Sequence, residues 1–215
     1  MNNKVIIFSG GLLSEHALSH INEGDFVIGA DRGAKFLVDH GITLDLAIGD
    51  FDSVEENDKQ RIQKSSKKFI SCDPVLKDYT DTEMAMNHAI ETETQEIMLT
   101  GVTGTRLDHV FASVHLLKIA LDKQIVCSII DDHNHIRLVN RHQKTILKKN
   151  DNYPYVSLLP LSMEVTGITL VGFQYPLHDA SLYIGQSLGI SNKLVDSKGE
   201  IVVESGELLV MQTKD

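Results

Sequence analysis

Gly49-Asp50-Phe51-Asp52-Ser53 is the segment with the sharpest chemical content. Two carboxylates one residue apart on extended backbone project to the same side, and Phe51 between them can turn back into apolar packing. Like charges about 4 Å apart repel by roughly 4 kcal/mol at an effective dielectric of 20, a cost removed by a bound cation or by protonating one acid. Mg²⁺ is the natural ion, being hard, oxygen-seeking and commonly shared between one or two carboxylates and substrate phosphates. The alternative is that Asp50 caps a turn and Asp52 is simply solvated.

Three further segments carry groups suited to phosphate. Lys77-Asp78-Tyr79-Thr80-Asp81-Thr82-Glu83 opens a helix, so backbone N–H groups and the positive end of the dipole accompany Lys77, while Asp81 can supply a third metal contact. Capping alone accounts for Thr80 and Glu83. Gly101-Val102-Thr103-Gly104-Thr105-Arg106-Leu107-Asp108-His109 follows an apolar run. Gly101 and Gly104 permit close backbone approach to a phosphate, and Arg106 can fork onto its oxygens. In the bland version Arg106 and Asp108 are solvated helix-start charges and His109 is a structural histidine. Gly29-Ala30-Asp31-Arg32-Gly33-Ala34 is another turn of small residues, with Asp31 either a helix N-cap or a binding group.

Such groups need a frame that gathers them. Apolar runs at Val5 to Phe8, Phe26 to Ile28, Leu46 to Ile48, Phe69 to Ser71, Ile97 to Leu99 and Ile125 to Ile130 alternate with amphipathic stretches. Continuous apolar character suits strands covered on both faces, and alternation with helices implies a mostly parallel sheet in an α/β domain. Five of the six runs are followed by acids, at Asp31, at Asp50 and Asp52, at Asp73, at Asp108, and at Asp131 and Asp132. In open α/β sheets ligands collect beyond the carboxyl ends of the strands, which makes this rim an anionic basin.

Helix starts are signalled by capping-box spacing at Ser53 to Glu56 and Thr80 to Glu83, and more weakly at Thr105 to Asp108. Leu107, Val110, Phe111, Val114, Leu117 and Leu121 predict one apolar helix face. From about His135 the chain breaks into short strands; Ile201 to Glu204 and Glu207 to Gln212 around Ser205-Gly206 read as a hairpin. A smaller all-β sandwich or barrel domain is therefore expected over 133–215, after an α/β domain over 1–132.

The formal charge of −10 argues against nucleic-acid or anionic-membrane partners, which need clustered Lys and Arg. Any phosphate bound here must bring a cation. Cys72 and Cys127 stand far apart within apolar runs and read as buried, reduced thiols. The run Val5 to Phe8 is too short for a signal-peptide core, and no segment is long enough to span a bilayer, so a soluble cytoplasmic protein is expected.

Taken together the motifs are specific. GADRGA at 29–34, GDFDS at 49–53, KDYTDTE at 77–83, GVTGTRLDH at 101–109, GITLVGFQYPL at 167–177 and SLGISN at 187–192 resemble, in order and spacing, those of the thiamine pyrophosphokinase family. The resemblance covers nearly the whole chain. It implies transfer of a diphosphoryl group from Mg-ATP to the hydroxyl of thiamine, with release of AMP. It also implies an N-terminal domain that binds Mg-ATP, a C-terminal β domain that helps bind thiamine, and a homodimer with sites formed between subunits.

Carried over by motif, Asp50, Asp52 and Asp81 resemble the metal-binding acids, with Asp31 and Asp108 as further acids of the catalytic and thiamine site. Arg32, Lys77, Asp78, Thr80, Thr82, Gly101, Gly104, Arg106 and His109 fall at nucleotide-side positions, Arg106 also serving catalysis. Ser191 and Asn192 fall at thiamine contacts, reaching the partner subunit's site. Some relatives stack the thiamine pyrimidine on a Trp; this chain has none, leaving that place to a Tyr, Phe or His. An Asp-x-Asp pair on an α/β sheet also serves metal-dependent phosphohydrolases and nucleotide-sugar transferases, and a thiamine- or nucleotide-sensing dimer is the non-enzyme alternative.

Overall fold

The computed structural model describes residues 4–72, 78–143 and 145–215. The chain divides into two compact units, Met1–Asp132 and His133–Asp215.

The first unit runs β1 (Val5–Phe8), α1 (Glu15–Leu18), β2 (Phe26–Ala30), α2 (Arg32–Asp39), β3 (Leu44–Gly49), α3 (Glu56–Lys64), β4 (Ser66–Ser71), α4 (Asp81–Glu91), β5 (Glu96–Thr100), α5 (Leu107–Asp122) and β6 (Val126–Ile130). Its six strands lie in the order β4-β3-β2-β1-β5-β6, and every neighbouring pair is parallel. The parallel sheet follows directly from the apolar runs. All four residues of β1 are completely buried, each such side chain contributing on the order of 1.5–3 kcal/mol. The strand order also reverses direction at one place: the chain steps outward from β1 to β4, then returns to the other side of β1 as β5. That is a topological switch point, where the loops after β1 and β5 diverge and leave a crevice.

The second unit contains β7 (Asn134–Val139), β8 (Thr145–Lys148), β9 (Tyr155–Pro160), β10 (Glu164–Val171), β11 (Ala180–Tyr183), β12 (Lys198–Val202) and β13 (Leu208–Thr213). Strand β13 pairs antiparallel with β7 and β9, while β10 pairs with β11 and β12, and β12 with β8. Inward side chains of both layers, among them Val156, Leu158, Ile168, Leu170, Ile201 and Val210, form one core, as expected of a sandwich.

Four local expectations are corrected. Ile201 to Gln212 is no hairpin: β12 and β13 lie in different layers of the sandwich, and Ser205-Gly206 carries the chain from one to the other. Leu107 and Phe111 do not belong to the buried face of α5; they are 64% and 62% exposed, and the face is made by Ser113, Leu116, Leu117, Ala120 and Leu121. The capping boxes at Ser53 and Thr105 do not form: α3 starts after Glu55 and α5 after Arg106, neither with a side-chain cap, whereas Thr80 does accept from the N–H of Glu83 at 3.2 Å. Cys72 is only partly buried, although Cys127 is fully so and its thiol is pushed up to about 12 by burial.

The crossover at Gly206 depends on a backbone that other residues resist. Its φ is +88°, and a Cβ there would sit 2.4 Å from the carbonyl oxygen of Glu164. Gly206→Val is expected to destabilise the protein by about 2 kcal/mol, the scale of one strained backbone position. Urea unfolding measures this, and an unchanged midpoint would refute the account.

Candidate functional site

A cleft of about 340 Å³ opens at the carboxyl ends of the parallel strands, within the first unit. Its walls are Ser9, Gly10 and Gly11 after β1, Ala30, Asp31 and Arg32 after β2, Ser53 after β3, Thr80, Asp81 and Thr82 at the start of α4, and Gly101 to Arg106 with His109 and Ser113 after β5. The loops after β1 and β5 meet at the switch point. Their backbones are laced together by Ser9 N–H to Thr100 O at 2.9 Å, Gly11 N–H to Gly101 O at 2.7 Å and Leu12 N–H to Thr103 O at 2.8 Å.

The two glycines of the second loop differ in cause. Gly101 has φ +67°, and a Cβ on it would lie 2.4 Å from Ser9 O, so packing between the loops demands it. A Cβ on Gly104 would meet nothing closer than Leu12 N at 3.6 Å. Packing between the loops therefore does not demand a glycine at 104, which lines the cleft.

Acids gather on one side of this cleft. One carboxylate oxygen from each of Asp31, Asp50 and Asp52 lies within 4.8 Å of the others. Asp50 and Asp52 are brought together differently from the expected extended backbone: Phe51 adopts φ +56°, buries its ring against Phe69 at 4.8 Å between centroids, and lets Asp52 N–H donate to Asp50 Oδ1 at 3.1 Å. The result is a tight turn with both carboxylates at its head.

Asp31 stands at the N-cap position of α2, yet its side chain caps nothing. Its backbone is at φ +50°, ψ −117°, a costly region for a residue with a Cβ, held by its N–H to Ile48 O at 3.1 Å. Its Oδ2 accepts from Ser53 Oγ at 2.5 Å, and its Oδ1 is buried without a hydrogen-bond partner among the described residues. Burial raises the Asp31 carboxyl above its ordinary range, and the charges of Asp81 and Asp50 add to the effect, against the lowering bond from Ser53. An orphaned carboxylate oxygen within a three-acid cluster suits a hard divalent cation.

Of the residues singled out from sequence, Asp31, Arg32, Thr80, Asp81, Thr82, Gly101, Gly104, Arg106 and His109 line the cleft. Asp50 and Asp52 adjoin it through Asp31 and Ser53. Asp81 raises the Asp31 carboxyl electrostatically from across the cleft lining but lies outside the three-acid group. Asp108 and Asp78 are exposed and do not line the cleft. Asp108 instead receives both Nε and a terminal nitrogen of Arg106, at 3.2 and 2.6 Å, and that bond holds its carboxyl below the usual range. Lys77 and Asp73 lie outside the described residues.

In the second unit Ser191 is exposed at φ +60°. Asn192 is buried; its Oδ1 accepts from the N–H groups of Tyr175 and Lys193 at 3.0 and 2.8 Å, and its Nδ2 donates to Tyr175 O at 2.7 Å. Sequence reasoning missed Ser9-Gly10-Gly11 and the role of Ser53. The glycine pair directly after an apolar run was the available signal for the first, while Ser53 pairs with a residue 22 positions away, beyond the reach of any local pattern.

Cleft and sheet together define a class, the open α/β proteins that hold their ligand at the switch point of a parallel sheet. Residues 18–129 match the thiamin pyrophosphokinase catalytic domain, and residues 143–209 match the thiamin pyrophosphokinase vitamin B1 binding domain. The chain belongs to the thiamin pyrophosphokinase family. It is 34% identical over 196 residues to a thiamine pyrophosphokinase of Bacillus subtilis (strain 168), with 91% of each chain covered. A crystal structure of thiamine pyrophosphokinase from Bacillus subtilis superposes with a TM-score of 0.91 at 32% identity over 99% of both chains. One from Geobacillus thermodenitrificans gives 0.87 at 32% identity, over 98% of this chain and 97% of that one. A thiamin pyrophosphokinase from Candida albicans, 16% identical with a TM-score of 0.82, shares the fold.

The raised Asp31 carboxyl has a signed consequence. For an acid whose folded value is raised, the stabilising contribution is fully present below the unfolded value, about 4, and is lost as pH climbs through the folded value. Asp31→Asn is therefore expected to raise Tm by a few degrees at pH 7 without divalent cations, with the gain shrinking as pH falls toward 4. Asn carries the same Cβ as Asp, so the backbone strain at φ +50°, ψ −117° is common to both and cancels in the comparison. Thermal melts in chelator across this range check it, and a gain that grows on acidification would be the wrong sign.

Proposed function

We propose that this chain is an enzyme transferring the diphosphoryl group of ATP to the hydroxyl of thiamine, giving thiamine diphosphate and AMP. The observation that carries the reading is the Asp31, Asp50 and Asp52 cluster on the rim of a switch-point cleft in a chain of this family. Asp50, Asp52 and Asp31 would hold Mg²⁺, and Asp81, in the first turn of α4, would add its negative charge nearby. An Mg²⁺ ion held by these acids would supply neutralising charge for phosphoryl oxygens at an otherwise acidic rim. The remaining work falls to the chain's own groups, because phosphoryl-type transfer needs in-line positioning and charge neutralisation more than covalent help.

On the nucleotide side the N-terminus of α4 brings Thr80 and Thr82 to the cleft together with the positive end of its dipole. Gly104 leaves room for phosphate, and Arg106 exchanges its bond to Asp108 for one to phosphoryl oxygens. Arg32 and His109 belong to the same lining, and Asp78 and Lys77 are assigned to the nucleotide by the family motif alone. Asp31 lines the cleft and Asp108 does not, which favours Asp31 as the acid that orients the thiamine hydroxyl. An anionic rim also attracts the cationic ring of thiamine.

For thiamine we assign Ser191, Asn192 and Tyr175 of the second unit, acting in a homodimer on the site of the partner subunit. Tyr175 is 60% exposed although Asn192 grips its backbone at both N–H and C=O, so a fixed aromatic face is offered in a chain without Trp. Exposed Leu12, Leu107 and Phe111 near the cleft loops, and exposed Ile184, Leu188 and Ile190 beside Ser191, are apolar surfaces that a second copy would cover.

Incubation with Mg-ATP and thiamine tests the reaction. AMP and thiamine diphosphate are expected in equal amounts, and ADP or thiamine-independent phosphate would overturn it. Asp50→Asn and Asp52→Asn are each expected to lower kcat by about 10²–10³-fold, the scale of losing one preorganised charge contact, with circular dichroism unchanged. Tyr175→Ala is expected to raise KM for thiamine by roughly 2- to 12-fold, the worth of one aromatic stack, while KM for ATP holds. Equal shifts in both constants would remove Tyr175 from the thiamine side.

A further inference from the structure

We propose that Ser53 is a positioning residue, whose hydroxyl fixes the Asp31 carboxylate so that its second oxygen is kept for the metal ion. The proposal rests on the metal reading of the acid cluster given above and concerns how that cluster is held in shape before any ion arrives.

Asp31 has two carboxylate oxygens in contrasting states. Oδ2 accepts from Ser53 Oγ at 2.5 Å, and Oδ1 is buried with no partner among the described residues. A buried acceptor left unsatisfied costs about 1–3 kcal/mol, and for a side chain on the rim of an open cleft the ready remedy is to rotate into water. In the structure Asp31 keeps this oxygen buried instead. The bonds of its N–H to Ile48 and of its carbonyl to Ala34 N–H, at 3.1 and 3.0 Å, fix φ and ψ and leave the side-chain torsions to other contacts. Two groups hold the carboxylate itself, the Ser53 hydroxyl at 2.5 Å and, with the smaller effect on its charge, the backbone N–H of Arg32; of these only Ser53 ties it to a neighbouring strand end. That residue comes from the β3–α3 turn, two positions beyond Phe51, whose buried ring anchors the turn against Phe69.

The coupling explains two oddities together. Ser53 has capping-box spacing with Glu56, but α3 begins later and without a side-chain cap, because the hydroxyl is spent on Asp31. Asp31 occupies an N-cap position and likewise caps nothing. Each residue gives up a local helix contact to make one bond between the ends of β2 and β3, the two strands that deliver the cluster's acids. Partners that orient a ligating carboxylate in this way are typically worth about 10- to 100-fold in metal affinity.

The test is direct binding of Mn²⁺ to the full-length protein, without nucleotide, followed by electron paramagnetic resonance, alongside the Mg²⁺ dependence of turnover. Ser53→Ala is expected to weaken Mn²⁺ binding about tenfold and to raise the Mg²⁺ concentration at half-maximal rate by a similar factor, with lost turnover recovered as Mg²⁺ is raised. Ser53→Thr keeps the hydroxyl and is expected to restore binding. Ser53 is exposed, so both variants should fold. If Asp50→Asn abolishes Mn²⁺ binding while Ser53→Ala binds as the parent does, the metal reading stands and the positioning role is wrong. If Asp50→Asn also binds as the parent does, the cluster is not the metal site and the proposal falls with it.

Discussion

The organising constraint in the first unit is mutual repulsion among carboxylates that the fold forces together. Asp31, Asp50 and Asp52 arrive from the ends of two adjacent parallel strands, and Asp81 adds its charge from a third direction. The chain tolerates this because much of the sheet is an uncharged, fully buried core. Apolar burial beneath the rim supplies stability from which a charge cluster above it can be supported. The devices that hold the cluster are costly in themselves: an aspartate and a phenylalanine at positive φ, and a carboxylate oxygen with no partner among the described residues. Strain concentrated in this way is a feature of ligand clamps, and it persists only where surrounding structure over-determines it.

The second unit follows a different logic. Two antiparallel layers share one apolar core, and its polar specificity is confined to loop positions such as the Asn192 clamp on Tyr175 and Lys193. A buried asparagine that satisfies three backbone groups rigidifies a loop without needing a ligand. That rigidity lets neighbouring exposed groups, Ser191 and Tyr175, be presented in fixed directions.

Much of the first unit was legible in the sequence because its strands are continuous apolar runs, and such runs depend little on distant context. The start of α4 was legible for the same reason, since the Thr80 hydroxyl caps the N–H of Glu83 only three residues on. Failures occurred where a residue's partner lies far away. Ser53 looks like a cap but bonds Asp31, 22 positions earlier. Leu107 and Phe111 continue a helical repeat, yet the first turns of α5 stand at the mouth of a cleft rather than over the sheet, so the repeat there marks surface and not core. Ser205-Gly206 has turn chemistry, but which strands a turn joins is decided by sheet pairing. The cluster was visible as acids after apolar runs. That Asp31 rather than Asp81 completes its inner three follows from Phe51's backbone and from Ser53, neither of which a spacing pattern encodes.

The switch point carries a temporal consequence. The cleft's two walls, Ser9 to Gly11 and Gly101 to Arg106, are joined only when β1 accepts β5 as a neighbour. A nascent chain that has delivered β1 to β4 already possesses Asp31, Asp50 and Asp52, but lacks half of the pocket. Ribosomal synthesis must extend past Arg106 before any nucleotide could lodge there, so during elongation the acid cluster is exposed first and its ligand arrives last.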